Sequence, residues 1–420
     1  MFRHISLRRR IALRATVSTA LLLSALAAPP AVVAAPGRVV AIGDIHGEYA
    51  NLVAILKQAG LLDDALRWSG RDATLVQLGD FTDRGADVRR VMDLFMALEG
   101  QARKAGGLVV VLLGNHEVMN LLGEMRDVTP AILATFADAG SEARREAAYQ
   151  AYARLGAARS AVLPARPAVY RQSREEWMAA HPPGFVEYRE AFAPRGAYGR
   201  WLRERPIVSL IGDTIFMHAG IDPDAAPGKL DDVNSQVRRE IRRFDAYVQR
   251  LVDRKRALPF FTLQEILDVS GAEIEAANEV VATARESGVE ADLHAFDTDM
   301  LLEAQQILRI GSWSVLNPGG PLWFRGYATW ESNESTAAKV DGLLSRYKAA
   351  HVVVGHTPIR SAEITPRFGT RVVLLDTGML TSYYPFGQPS ALEIDGGVYS
   401  AIYLDKKVPL ARSDTGGEPK

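Results

Sequence analysis

The chain has 420 residues, 48% of them hydrophobic and 24% charged, with a formal net charge of −1. That balance supports one large buried core or two modest ones, excludes wholesale disorder, and does not favour nucleic acid as a partner. There is no cysteine, which rules out disulfides, thiolate metal sites and a cysteine nucleophile together, so any chemistry must use oxygen and imidazole.

The amino-terminal segment differs from the rest. "MFRHISLRRRIALRA" is cationic, "TVSTALLLSALAAPPAVVAA" is apolar and uncharged, and small residues precede "PGRVVAIGD". This order predicts a secretory signal peptide over residues 1–35, hence a periplasmic or secreted protein. A membrane-anchoring helix is the competing reading, but Pro29 and Pro30 interrupt the run below spanning length, so no stable membrane insertion is expected after cleavage. Arg9-Arg10-Ile11-Ala12-Leu13 also loosely fits a twin-arginine leader. Without Arg3, Arg8, Arg9, Arg10 and Arg14 the chain keeps 44 basic against 50 acidic residues, a net charge near −6.

From there a rhythm sets in. "RVVAIGD" predicts a strand ending at Asp44, followed by a helix over "EYANLVAILKQAGLL" that Gly60 would stop. "ATLVQLGD" leads to Asp80, and the helical pattern "DVRRVMDLFMALEGQARKAGG" closes at Gly106. "LVVVLLGN" reads as a strand buried on both faces and delivering Asn115 and His116 to its carboxyl end. "IVSLIGDTIFMH" and "AAHVVVGH" read as strands ending at His218 and His356. "SALEIDGGVYSAIYLD" predicts a hairpin about an Asp-Gly-Gly turn. Strand then helix, repeated, predicts an α/β fold with ligands gathered beyond the strand ends. Two intervals, 121–205 and 222–320, interrupt the rhythm and predict helical insertions in a catalytic domain spanning 36–410. Residues 411–420 read as a disordered tail. His181, His294 and His351 stand in no motif and are expected to be structural.

Five apolar runs that each stop at a metal-competent side chain point to one ion site. Asp44 and His46, two apart in an extended segment, would face the same side. Asp80 ends the next strand, with Asp83 and Arg84 in the turn after it, and Asn115, His116, His218 and His356 complete the series.

In order these are "GD-x-HG … GD-x-x-DRG … GNHE … H-x-G … GH", which resembles the calcineurin-like metallophosphoesterases and, within them, the phosphoprotein phosphatase branch. The resemblance implies a two-sheet β-sandwich flanked by helices (α/β/β/α) with a two-metal site at the strand ends. It implies Asp44, His46 and Asp80 on the first ion, and the bridging Asp80 with Asn115, His218 and His356 on the second. The physical case agrees, because two dications about 3.5–4 Å apart clamp the attacking and leaving oxygens and acidify a bridging water to the attacking hydroxide. The mixed nitrogen and oxygen set suits manganese, iron or zinc better than calcium or magnesium. The resemblance also implies His116 as the acid that protonates the leaving oxygen, oriented by Asp83. Glu117 is expected to hold neighbouring groups in place.

Many phosphodiesterases of the superfamily carry a second histidine where this chain has Pro358 in "GHTP", and proline cannot ligate. "LLGNHEVMN", "GRWL", "GPLWFRGY" and "LLDTGM" look like the bacterial Shewanella-like protein phosphatases. Arg84 and Arg325 are then the expected phosphate clamps, with Arg200 a third candidate, because a guanidinium matches phosphate oxygens two at a time. The expected activity is hydrolysis of phosphate monoesters on phosphorylated protein or peptide. A dinucleoside-polyphosphate hydrolase shares "GDIHG" and "GNHE" and is the alternative, although the leader argues against its mostly cytoplasmic substrates. A catalytically silent, metal-stabilised binding module is the third reading, and the intact motif set argues against it.

Overall fold

The computed structural model describes residues 37–160, 168–290 and 296–412. The expected signal peptide, His294 and residues 413–420 of the expected tail lie outside them. The strands are β1 Arg38–Ile42, β2 Thr74–Gln77, β3 Leu108–Val111, β4 Val208–Ile211, β5 Thr214–Met217, β6 His351–Val354, β7 Thr365–Arg367, β8 Val372–Leu374, β9 Ser390–Asp395, β10 Val398–Tyr403 and β11 Lys407–Arg412. One sheet has the order β11-β10-β9-β1-β2-β3 and the other β4-β5-β6-β8-β7. β1, β2 and β3 are mutually parallel, as are β5, β6 and β8. The β9–β10 hairpin adds antiparallel to β1, and β11 pairs beyond it as the edge of the first sheet.

Strand periodicity divides the core in two. Val39 and Ala41 of β1, Val76 of β2, Phe216 of β5, Val353 of β6 and Val373 of β8 pack into one cluster, which is the layer between the sheets. Their strand neighbours Val40, Ile42, Leu75, Ile215, Val352 and Val372 belong to the other cluster, against the helices. Side chains alternate faces along a strand, so a run apolar at every position must be covered on both sides. The result is the helix-sheet-sheet-helix layering expected of this sequence. Helix α1 (Tyr49–Gln58) buries Leu52, Ile55 and Leu56, and α2 (Val88–Lys104) buries Val91, Met92, Phe95 and Leu98 at three- and four-residue spacing, the stripe that faces a core.

Both long intervals are helical. The first holds, among others, Ser141–Ser160, Phe185–Phe192 and Ala197–Arg203, and the second Asp231–Asp253, Leu263–Glu286 and Thr298–Ile307. In Asp231–Asp253 the buried residues Val233, Val237, Ile241, Phe244, Tyr247 and Leu251 follow helical spacing. Thr262 and Glu265 form a reciprocal capping box that starts the next helix.

Three local expectations differ. The run "IVSLIGDTIFMH" is a hairpin, β4 and β5, because Gly212 takes φ 61 and lets the chain reverse in two residues. Asn115 and His116 are the first residues of a short helix, α3 (Asn115–Leu122), rather than the end of a strand. β11 continues to Arg412 and so takes in the first two residues of the expected tail.

Candidate metal centre and active site

The loops that leave β1 and β2 are joined before any side chain is considered. The amides of Ile45 and His46 both donate to the Asp80 carbonyl at 2.9 Å, Gly47 N–H donates to Phe81 O at 3.1 Å, and Gly85 N–H returns to His46 O at 2.9 Å. Close approach explains the glycines that precede the polar residues. A Cβ on Gly79 would lie 2.3 Å from Gly114 N, and one on Gly114 would lie 2.2 Å from Asp80 Oδ1. Five site residues have left-handed backbone: His46 (φ 49), Asp80 (55), Asp83 (69), Arg84 (66) and His356 (67). Each such residue costs about 1–3 kcal/mol. The loop–loop hydrogen bonds are what hold them there.

Glu117 is the second fastener. Its fully buried carboxylate accepts from Asp80 N (2.7 Å), Gly114 N (2.8 Å), Phe81 N (2.9 Å), Thr82 N (2.9 Å) and Thr82 Oγ1 (2.8 Å). Burial and the Asp80 charge push its pKa up, and these donors oppose the shift. Glu117→Gln turns an amide NH2 toward backbone N–H groups, so it should lower stability by about 3–5 kcal/mol, the range for breaking a buried charged network. Denaturant titration measures this, and an unchanged midpoint would remove Glu117 from the role.

Around this frame the polar side chains converge. Asp80 Oδ1 accepts the His116 amide at 3.0 Å, which leaves Oδ2 between two groups of histidines, 3.3 Å from His218 Nε2 and 3.9 Å from His46 Nε2. In the set expected for the second ion, His218 Nε2 lies 2.9 Å from Asn115 Oδ1 and 3.0 Å from His356 Nδ1. Ligand atoms about 2.0–2.2 Å from a shared ion sit about 2.9–3.6 Å from one another, so this set fits one ion. Asp44, in the loop after β1, is tied to this set only through the backbone, its Oδ1 accepting the His356 amide at 3.0 Å. His46 has φ 49, so the pairing with Asp44 does not arise from an extended i, i+2 segment.

The rings are preset in the manner of metal-binding imidazoles. His46 Nδ1 lies 3.0 Å from Thr82 O, His218 Nδ1 3.1 Å from Leu78 O, and His356 Nε2 3.2 Å from Trp323 O. Each ring therefore donates its proton to a backbone carbonyl and turns its lone pair into the site. Burial holds His46 well below the usual histidine range, helped by the neighbouring His116. Burial and then His218 lower His356 to about 2. Both are neutral, as a ligand must be. Burial alone would raise Asp80, but His218 and His116 hold it well below the carboxylate range.

His116 differs from these. It stands 2.7 Å from Asp83 Oδ2 through Nδ1 and 3.1 Å from Arg84 Nη2 through Nε2. Burial lowers its pKa, but the Asp80 charge and the Asp83 hydrogen bond outweigh that and raise it to about 9. Asp83 is itself fixed by Asn120, whose Nδ2 donates to Asp83 Oδ1 at 2.8 Å, and Asn120 is fixed by Tyr188 Oη at 2.5 Å. A carboxylate-backed imidazole of raised pKa is suited to carry and give up a proton, whereas its neighbours are suited to bind ions.

A cavity of about 270 Å³ opens over these groups, and Arg84 and Arg325 both line it. Arg84 donates to His46 Nε2 at 2.7 Å and to Tyr384 Oη at 3.1 Å, with its guanidinium 4.6 Å from the Tyr383 ring centre. Arg325 is tied to His356 O and Thr357 Oγ1, each at 3.0 Å. Arg200 is not in this lining. It projects from the exposed side of the helix Ala197–Arg203, whose other side buries Tyr198, Trp201 and Leu202. Arg126 takes the third place, 5.6 Å from the Trp323 ring centre.

Sequence reasoning also missed Asp376. It follows β8, is buried, and together with burial and Asp80 it pushes Asp44 well above its ordinary pKa. Asp376 itself is raised to about 6 by burial. Its signal was present, since "RVVLLD" is another apolar run that stops at an acid. His181 and His351 are not in the lining of this cavity, and their Nδ1 atoms are held at Trp177 O and Thr370 O.

Known proteins share this framework. The chain is 26% identical over 384 residues to an uncharacterised protein of Schizosaccharomyces pombe, covering 89% of this chain and 83% of the relative. It is 30% identical over 221 residues to Shewanella-like protein phosphatase 2 of Arabidopsis thaliana, covering 48% of this chain and 51% of that one. A solved cold-active protein tyrosine phosphatase of a Shewanella species shares the fold with a TM-score of 0.51 at 21% identity, over 89% of this chain and 80% of that one. The sequence profile of the calcineurin-like phosphoesterases matches residues 37–254, more than half of the chain, and the protein therefore belongs to that family of metal-dependent phosphoester hydrolases.

Proposed function

We propose that the protein is an exported phosphatase that hydrolyses phosphate monoesters on phosphorylated protein or peptide, with two divalent transition metal ions at the strand ends. The observation that carries this reading is the placement of Arg84 and Arg325 in the cavity that also holds the histidine–aspartate cluster. Asp44, His46 and Asp80 would hold one ion, and Asp80, Asn115, His218 and His356 the other. When bound, the ions would supply Lewis acidity and an activated water. The residues do the rest. Arg84 and Arg325 bind the outer phosphate oxygens, Asp83 holds His116 in orientation through Nδ1, and His116 Nε2 delivers a proton to the leaving oxygen. Asn120 and Tyr188 keep Asp83 in place.

A monoester presents three outer oxygens and nearly two charges, which two guanidiniums can share. A diester has only two such oxygens, and its second substituent would collide with one of the arginines. Arg325→Ala should weaken monoester turnover and inorganic phosphate inhibition together by about tenfold, near 1.5 kcal/mol, the low end for a charged hydrogen bond because Arg325 is exposed. Arg325→Lys should rescue only part of this. Unchanged phosphate inhibition in Arg325→Ala would return that residue to a surface turn.

The relatives named as protein phosphatases support the phosphoprotein reading. Comparing rates of the mature protein on phosphotyrosine peptide, phosphoserine peptide and diadenosine tetraphosphate tests it. Preference for the dinucleotide would transfer the assignment to the polyphosphate hydrolases. Export rests on the basic, apolar and small-residue order of the leader. Mass spectrometry of envelope-fraction protein should find a new amino terminus between about Ala27 and Ala35, and an intact Met1 on cytoplasmic protein would exclude export.

A further inference from the structure

The carboxyl end of α3 borders a second cavity, of about 230 Å³, separate from the one over the histidines. Leu121, Leu122, Phe192, Phe244, Val248 and Ile266 make its walls largely apolar. Three arginines, Arg189, Arg195 and Arg203, also face it, against one acid, Asp245. Asp245 is already committed, because both its oxygens take Arg203 in a two-point pair at 2.7 and 2.8 Å. Arg189 has no carboxylate within ion-pair distance among the described residues. It donates to two carbonyls, Asn120 O at 3.3 Å and Phe261 O at 3.1 Å, and its buried Nε has no hydrogen-bond partner among the described residues. Glu265, the carboxylate whose charge acts on it, accepts from Thr262 N and Oγ1 at 2.7 and 2.9 Å.

Part of the Arg189 charge is answered by the carboxyl terminus of α3, which carries about half a negative charge. The remainder is not. An apolar chamber that holds an under-compensated guanidinium selects a ligand with an apolar body and one anionic group. Size narrows the choice, since a cavity of about 150 Å³ already holds benzene. The extra space admits one ring with a short acid side chain, or a chain of similar volume.

We propose that this cavity is a second ligand site, for a small apolar monocarboxylate whose carboxylate pairs with Arg189. Occupancy would be felt at the phosphate pocket, because Asn120, whose carbonyl takes Arg189, also holds Asp83 through its side chain.

Calorimetry and thermal melting with 3-phenylpropanoate, on the metal-loaded protein, test the site. 3-Phenylpropanamide is the uncharged control. The acid should bind and raise Tm by about 2 °C or more at saturation, and the amide should bind at least about tenfold more weakly. Two variants separate this from carboxylate binding at the metal centre. Arg189→Met removes the charge, and Val248→Phe fills the chamber without touching the phosphate pocket. Both should melt cooperatively, keep their metal content and lose the acid-induced shift. No binding at about 1 mM, equal binding of acid and amide, or an undiminished shift in Arg189→Met would each overturn the proposal.

Discussion

Asp80→Asn is expected to lower turnover by about 10³-fold or more and to reduce the bound metal below two ions per chain. The reason lies in the placement of one atom. Asp80 Oδ2 faces His218 at 3.3 Å and His46 at 3.9 Å, while Oδ1 is committed to the His116 amide. An asparagine can keep the Oδ1 contact and so the local fold, but it brings no negative charge to the point that both ion sites share. Asp44→Asn or His46→Ala touches one site and should cost less. Metal counting beside rate measurements on wild type and the three variants makes the comparison. One tightly bound ion in a fully active wild type would contradict the shared-ligand assignment, as would an Asp80→Asn loss no larger than that of Asp44→Asn.

His116→Ala should lower the rate on alkyl phosphates by about 10²–10⁴-fold, the usual loss for a general acid. On nitrophenyl phosphate, whose leaving group hardly needs a proton, the loss should be much smaller. Equal losses on both would remove His116 from the acid role. The pH profile supplies an independent reading. Without bound ions the Asp80 charge and the Asp83 bond raise His116 to about 9 against burial. Its acid form is therefore complete below the ordinary histidine range and is lost as pH rises toward 9. Bound cations favour the neutral ring and draw the limb below 9. Asp83→Asn removes one raising influence, so the alkaline limb should shift further toward neutral pH. A limb that stays in place in Asp83→Asn would detach Asp83 from His116.

Much of the site was legible because its signals are local. Asp44, Asp80, Asn115, His218 and His356 each follow an apolar run, and a strand buried on both faces has to read as continuously apolar. The order of those runs, with helices between them, was sufficient for the α/β class and for the family resemblance. Other elements left no such mark. All eight residues of α3 are buried although Asn115, His116, Glu117 and Asn120 are polar, so its polar residues do not mark a solvent face. Its start at Asn115 could not be told from the end of a strand. The β4–β5 reversal rests on a single glycine at φ 61, which in sequence is one small residue inside an apolar run.

Composition and nearest-neighbour periodicity carry the identity and order of the polar strand ends, the absence of thiol chemistry and the helical character of both insertions. What meets across long separations depends on how the loops pack. Glu117 fastens the β2 loop, Asp376 presses on Asp44, Arg126 occupies the place expected for Arg200, and Asp83 backs His116 where carbonyls back the other rings. An imidazole has the same letter whether it binds an ion or carries a proton. Which it does depends on whether a neutral carbonyl or a buried carboxylate stands behind its second nitrogen, and that neighbour is chosen by the packing of loops far apart in the chain.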